Sequence, residues 1–281
     1  RDDAAADVTV LTSMIESRCI AGPNALFESF VKNVSEAIDP QNFFREKVLE
    51  QQQRHLKFQE AAYSLEPNCK ESPGGLRDLH TLLWVARAAG LGRTWNDLIA
   101  GGLLTAEEGL WLVRSERILK KLRTRLHIVA GRREDRLLFD VQTAIAAAER
   151  VKPTAARRAS EVLMQRYYRA AKLVTQLNTI VLQNIEERLF PSGDPHVDPI
   201  DPAFVARGEL LDIVDDGAFD RKPDALLRGF LVLQQRPELK GMTARLLRAL
   251  WHERWLINAE FRRRPANRRT FVEILQQPRG V

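Results

Sequence analysis

Between residues 66 and 80 the chain gathers the side chains best suited to handling an anion: Glu66, Lys70, Glu71, Arg77, Asp78 and His80, set around Pro73-Gly74-Gly75. The paired glycines allow dihedrals and close backbone approaches that other residues resist. Lysine supplies a mobile point charge, arginine two parallel donors, and the amides around Gly74 and Gly75 further donors, a combination able to grip a phosphate group. A helix starting at this point adds a favourable field worth about 0.3 to 1 kcal/mol when exposed and up to about 2 when partly buried. Asp78 repels an anion unless it caps that helix or pairs with Arg77. The same residues also suit an interdomain turn braced by Glu66–Arg77 or Lys70–Asp78 pairs, and on chemistry alone both readings stay open.

The elements that must hold this loop are helical. Val8, Leu11, Ile15 and Cys19, with Asp7 as a cap, predict a first helix that Gly22-Pro23 ends. Asn24 starts a second through Leu26, Phe27, Phe30 and Val34, and Asp39-Pro40 opens a third that runs to about residue 60. On this third helix Phe43, Phe44, Val48, Gln51 and His55 are expected inward, with Arg45, Glu46, Lys47, Glu50 and Arg54 toward water. Asp78 caps the next, with Leu79, Leu82, Leu83 and Ala86 at helical spacing.

Thr105 to Glu108 reads as a capping box for a long helix with Trp111, Ile118, Leu122, Leu126 and Val129 inward and a solvated basic face. Asp140 caps a helix around 141 to 150, and the apolar stripe between Arg157 and Leu189 requires a partner of similar length, helix 106 to 130. Three prolines between 190 and 201 mark a boundary, beyond which FVARGELLDIV is a place for two short strands turning at Gly208. The expected fold is all-α: a multi-helix bundle with a small two-stranded excursion near 204–214.

With 281 residues, 44% of them apolar and 28% charged, the chain can bury a substantial core. A net charge of +6 mildly favours an anionic partner. Cys19 and Cys69 suggest no disulfide framework. No apolar run approaches a membrane span and the first residues are not a signal peptide, so the cytoplasm is the expected location. Both ends read as cuts in a longer chain. The five histidines form no H-E-x-x-H or adjacent His-Asp pair, and neither a Walker loop, a G-x-S-x-G nor a Rossmann glycine pattern occurs. Asp212, Asp215 and Asp216 read as turn acids in preference to magnesium ligands, and the arginines between 262 and 269 as a basic surface without the aromatic interleaving of a nucleic-acid binder.

LEPNCKESPGGLRDLHTLLWVARAAG closely resembles the signature of the bacterial enzymes that uridylylate and deuridylylate the PII nitrogen-signalling protein. VTVLTSMIESRCIAG, EQQQRHLKF, RLLFD at 136 to 140, PDALLRGFLVLQQRPELKG and FVEILQQPRG are similar to the same family, so the resemblance spans the chain. Lys70, Gly74, Gly75, Arg77 and Asp78 also match a pattern shared with the adenylyltransferase that modifies glutamine synthetase. Glu66, Pro73 and His80 match the longer uridylyltransferase form, and Asn68 stands where that family more commonly carries aspartate.

The resemblance implies a parent with an N-terminal nucleotidyltransferase domain, a helical middle region, a metal-dependent HD hydrolase domain and ACT domains that sense glutamine. Residues 1–60 would continue from the nucleotidyltransferase domain, 61–190 form the central bundle with its signature loop 66–80, and 203–281 extend toward the HD domain. The implied reaction transfers UMP from UTP to a tyrosine of PII. Its Mg2+ ligands would belong to an upstream Gly-Ser and D-x-D pattern that this chain lacks. Lys70, Arg77, Gly74 and Gly75 are then the phosphate-facing candidates, with Glu66, Pro73, Asp78 and His80 organising the loop. No catalytic or metal-binding residue is assigned within the chain, which is expected to be inactive alone, and neither membrane nor nucleic acid is an expected partner. The competing expectation is a structural or protein-interaction helical module without nucleotide contact.

Overall fold

The computed structural model describes residues 7–59, 65–191 and 196–279, so residues 62–64 before the loop and the acids Asp2 and Asp3 lie outside the described residues. The chain forms two compact units, Arg1–Phe190 and Pro191–Val281.

The first unit is helical, with α1 (Val8–Ile15), α2 (Asn24–Ala37), α3 (Pro40–Gln59), α4 (Leu76–Ala88), α5 (Trp95–Ala100), α6 (Ala106–Ala130), α7 (Phe139–Ala148) and α8 (Ala159–Leu189). Asp7 caps α1 through the amides of Thr9 and Val10, and Thr105 and Glu108 form the expected reciprocal box at the start of α6. The α6 and α8 pairing holds as expected, and α4 sits centrally, packed against α3, α6 and α8. Burial of Leu79, Leu82 and Ala86 follows its apolar spacing.

Two helix faces differ from the expectation. On α6 the buried ladder is Leu112, Ser115, Leu119, Leu122 and Leu126, while Ile118 and Val129 are 36% and 37% exposed. Ser115 is small enough for close approach to a neighbour, and it keeps the four-three spacing unbroken where the bulkier Trp111 and Ile118 do not. On α3 two of the five polar residues expected in water are inside: Lys47 is buried, and the Arg54 side chain is 9% exposed, while Arg45 is exposed as expected. Lys47 survives burial because Glu50 accepts from its ammonium at 2.6 Å and the Trp84 ring lies 4.8 Å away.

The second unit is built on a sheet. The expected pair, β2 (Phe204–Arg207) and β3 (Leu210–Ile213), turns at Gly208, whose φ is +60°. Two further short strands, β1 (Val197–Pro199) and β4 (Gly241–Met242), extend it to the order β1-β2-β3-β4, antiparallel except for β3–β4. Two strands alone would leave hydrogen-bonding edges and an apolar face open. The extra strands cover the edges, while α10 (Ala225–Gln235) and α11 (Ala244–His252), which follow the short α9 (Ala218–Arg221), supply Leu226 and Leu246 to a core with Phe204, Phe219, Leu211 and Ile213. The chain then runs through a 3-10 turn, α12 (Ala259–Arg263) and α13 (Pro265–Gln276). No described helix is long and apolar enough to cross a membrane.

The two free thiols sit in opposite surroundings, Cys19 exposed and Cys69 fully buried. Burial pushes the Cys69 thiol up to about 12. Because the thiolate is the reactive form, a colorimetric thiol assay on the native protein is expected to titrate one cysteine, with the second appearing only in denaturant. Two fast-reacting thiols in the native state would contradict this burial.

Candidate functional site

The loop from Glu66 to Gly75 is organised from within by short polar side chains. Asn68 Oδ1 accepts from the amides of Lys70 and Glu71 at 3.0 and 2.8 Å, and Ser72 Oγ accepts from the Asn68 amide at 3.0 Å. An aspartate carboxylate would accept the same two amides, which explains why asparagine serves at this position. The outer rim of the loop is zipped to the segment before α7. The Cys69 amide donates to the Asp135 carbonyl and the Leu137 amide to that of Pro67. Glu66 accepts from the Phe139 amide at 2.9 Å, with Arg136 3.8 Å away.

Beneath the loop lies Asp78, which is completely buried. Its carboxylate accepts from Gln51 at 3.1 Å, Arg54 at 2.7 Å, His55 at 2.9 Å and the Gly74 amide at 2.7 Å. An ionised carboxylate only accepts, so His55 Nε2 carries the proton in this pair. Gln51 also donates to the buried Asn178 of α8 at 2.7 Å, so one aspartate joins α3, α4, α8 and the loop. Burial alone would raise the Asp78 carboxyl, yet hydrogen bonds and charge from His55 and Arg54 outweigh it and hold the group below its ordinary 3.8.

These positions revise several expectations. Gly75, not Asp78, is the N-cap of α4, and Asp78 reaches back from the first turn to the Gly74 amide. The anticipated Glu66–Arg77 and Lys70–Asp78 braces give way to other partners. Arg77 and Lys70 both approach Glu71, at 3.3 and 3.0 Å, and Asp78 is saturated by α3 and Gly74. The glycine amides are spent inside the loop, Gly74 on Asp78 and Gly75 on the Ser72 carbonyl, so the glycines act through close approach instead of anion donation. Gly74 has φ +77° and rests on the backbone of Ala171, and a Cβ on Gly75 would sit 2.7 Å from the Lys70 carbonyl oxygen.

The side chains of Lys70 and Arg77 remain partly open, at 16% and 26% exposure. Arg77 also lies 5.3 Å from the Trp84 ring, which Lys47 approaches too. His80 stands one turn away against Trp84, with ring centroids 5.7 Å apart. Burial lowers its pKa and favours the neutral ring. Pro73 is half-buried at the turn.

Sequence reasoning missed Arg54 and the His55–Asp78 pair, which only the fold brings together. A signal was present: Lys47, Gln51 and Arg54 continue the Phe43 stripe at four- and three-residue steps. Among the described residues no three His, Cys, Asp or Glu side chains converge as ligands. Asp212 accepts from Thr243 and Arg207, Asp215 from Arg221 and Asp216 from Arg245. Arginine-bound carboxylates of this kind do not fit a magnesium site.

Three of the quoted stretches thus meet at one place: EQQQRHLKF supplies Gln51, Arg54 and His55, RLLFD supplies the edge, and LEPNCKESPGGLRD the loop between them. Residues 42–182, half the chain and all of this cluster, match the family described as GlnD PII-uridylyltransferase. The chain belongs to that family. Residues 204–281 match the description uridylyltransferase GlnD third domain. Among curated GlnD-like relatives, a bifunctional uridylyltransferase/uridylyl-removing enzyme of Bordetella parapertussis is 54% identical over 279 residues, 99% of this chain and 32% of its own length. One from Burkholderia orbicola is 55% identical over 282 aligned residues, covering 100% of this chain and 33% of the relative. The chain therefore spans about a third of the length of these relatives. No solved structure matches it.

Asp78→Asn is expected to destabilise the protein by about 3 to 5 kcal/mol at neutral pH, because the buried Arg54 loses its closest counter-ion and keeps only Glu71, 3.9 Å from Nε. A depressed carboxylate contributes its stability above the ordinary value of 3.8 and loses it as pH falls through the lower folded value. Chemical denaturation should therefore show the gap between wild type and variant narrowing as pH drops below 3.8. A gap constant with pH would mean that Asp78 is not held ionised. Gly74→Ala should cost about 2 to 5 kcal/mol, from left-handed backbone strain plus overpacking against Ala171. Unchanged thermal unfolding of that variant would refute the close approach.

Proposed function

We propose that this chain is the helical middle region of a nitrogen-signalling enzyme that transfers UMP from UTP to a tyrosine of the PII protein and, through another domain, removes it. Residues 1–60 continue from a nucleotidyltransferase domain, 61–190 form the bundle that carries the signature loop, and 203–281 lead toward an HD hydrolase domain, with glutamine acting through ACT domains elsewhere in the parent. In the reaction the tyrosine hydroxyl gives up its proton to solvent and its oxygen bonds to the α-phosphorus of UTP as the bond from that phosphorus to the bridging oxygen breaks, and pyrophosphate leaves. Magnesium, held by carboxylates outside this chain, would supply Lewis-acid stabilisation of the phosphates.

The part proposed for this chain is electrostatic. Lys70 and Arg77 face the nucleotide phosphates across the junction with the catalytic domain and offset the charge that gathers on departing pyrophosphate. The observation that supports this reading best is selective exposure. The glycines, Ser72, Leu76 and Asp78 are buried, whereas the cationic side chains of Lys70 and Arg77 stay partly open. A second reading, a purely structural or protein-binding module, draws on the same cluster: Glu71 already neutralises both cations, as a brace requires.

The two readings separate in the full-length parent. Lys70→Ala combined with Arg77→Ala is expected to reduce UMP transfer to PII by about 100-fold or more while uridylyl removal stays near wild type. Equal loss of both activities together with a lowered melting temperature would favour the brace, and unchanged transfer would sink the phosphate assignment.

A further inference from the structure

Three cations from two parts of the chain converge on one carboxylate. Glu71 Oε1 lies 3.0 Å from Lys70 Nζ and 3.3 Å from Arg77 Nη2, and Oε2 lies 3.9 Å from Arg54 Nε. Arg54 also donates from Nη1 to the Glu71 carbonyl at 3.1 Å. The second carboxylate nearby, Asp78, is sealed and saturated, so Glu71 is the partly open anion of the group, its side chain 21% exposed.

Arg54 is incompletely satisfied. Its side chain is nine-tenths buried, yet Nε has no hydrogen-bond acceptor, because 3.9 Å from Glu71 is beyond hydrogen-bond range. A buried donor left without an acceptor is costly, and this one lies 3.9 Å from the Glu71 carboxylate. A tetrahedral phosphoryl group presents three oxygens, enough to meet an ammonium, an arginine fork and one further N–H together, whereas the Glu71 carboxylate as placed serves Lys70 and Arg77 and leaves Arg54 Nε unmet.

We propose that Arg54, Lys70 and Arg77 form a binding site for a phosphoryl group of a di- or triphosphate, with Glu71 as a displaceable internal counter-ion that occupies the site when it is empty. The inference rests on the phosphate-facing reading of Lys70 and Arg77, and adds Arg54 as a third ligand and Glu71 as its competitor. Closing the site on Glu71 keeps three cations paired in the absence of nucleotide. It also lowers apparent phosphate affinity, since the ligand binds only the fraction of molecules in which the carboxylate has swung out.

The test is calorimetric titration of inorganic pyrophosphate into the full-length parent. Glu71→Gln, which keeps shape and removes charge, should bind pyrophosphate about tenfold tighter than wild type or better. Arg54→Lys in that background, which keeps charge but removes Nε, should reverse most of the gain. If circular dichroism shows Glu71→Gln to be misfolded, Glu71→Asp, whose carboxylate is withdrawn by one methylene, must still tighten binding. Unchanged or weaker binding by the folded Glu71 variant, alongside weakened binding in Lys70→Ala/Arg77→Ala, would overturn the counter-ion role and leave the phosphate-facing reading standing. Identical titrations for every variant would overturn both.

Discussion

The first unit depends on an ionised aspartate kept away from water. A buried carboxylate is tolerable only when every lone pair has a strong donor, and Asp78 obtains its donors from two side chains of opposite character, the always-charged Arg54 and the titratable His55, plus an amide of the loop and the amide side chain of Gln51. Moving any of these donors strips an acceptor site of the buried carboxylate of its partner. The position of α3 against α4 and the path of the loop are consequently one constraint, and Gln51 passes it on to α8 through Asn178. Residues 65–80 owe their shape to neighbours more than to their own turn propensity.

That dependence orders the rest of the loop. Once Asp78 holds the Gly74 amide, the backbone is pressed against α8, the Asn68 and Ser72 side chains close the turn, and the rim pairs with the segment before α7. Buried polar atoms shape the loop, and the partly open charges of Lys70, Glu71 and Arg77 stand on its outer side. A surface loop free to relax would not hold two cations beside one carboxylate at fixed separations. Here the rigid inner layer sets where the outer layer can be, as a site for a charged group requires.

Much of this was legible in the residues. The helices of the first unit, the Thr105–Glu108 box, the α6–α8 pairing and the strand pair at Gly208 follow from spacing, turn glycines and several of the expected caps, although α7 starts one residue before Asp140, with Leu138 as its N-cap. Legibility failed where tertiary partners overrode local pattern. Lys47 and Arg54 carry charge and so read as solvent-facing, although Trp84 and Asp78 wait for them on α4. Apolar pattern alone favours Trp111 and Ile118 over Ser115, although close helix packing favours small side chains. Asp78 reads as an ordinary helix cap because a single sequence does not announce that an acid will be buried. β1 and β4 are too short to carry a pattern, and are strands only because β2 and β3 offer them edges. For the candidate site, residue types were readable and their pairing was not, since Arg54 and Glu71 lie 17 positions apart.

The contact between Gly74 and Ala171 has a genetic consequence. What a side chain at 74 would strike is the carbonyl of residue 171, an atom that every amino acid carries. No exchange at 171 removes the obstacle, so a damaged Gly74 allele has no partner-site suppressor there. Relief would have to come from shifting α8 as a whole, and with it Asn178 and the acceptor that Gln51 uses. The loop and the longest helix are in that sense a single heritable unit, joined through main chain and beyond the reach of compensating side-chain changes.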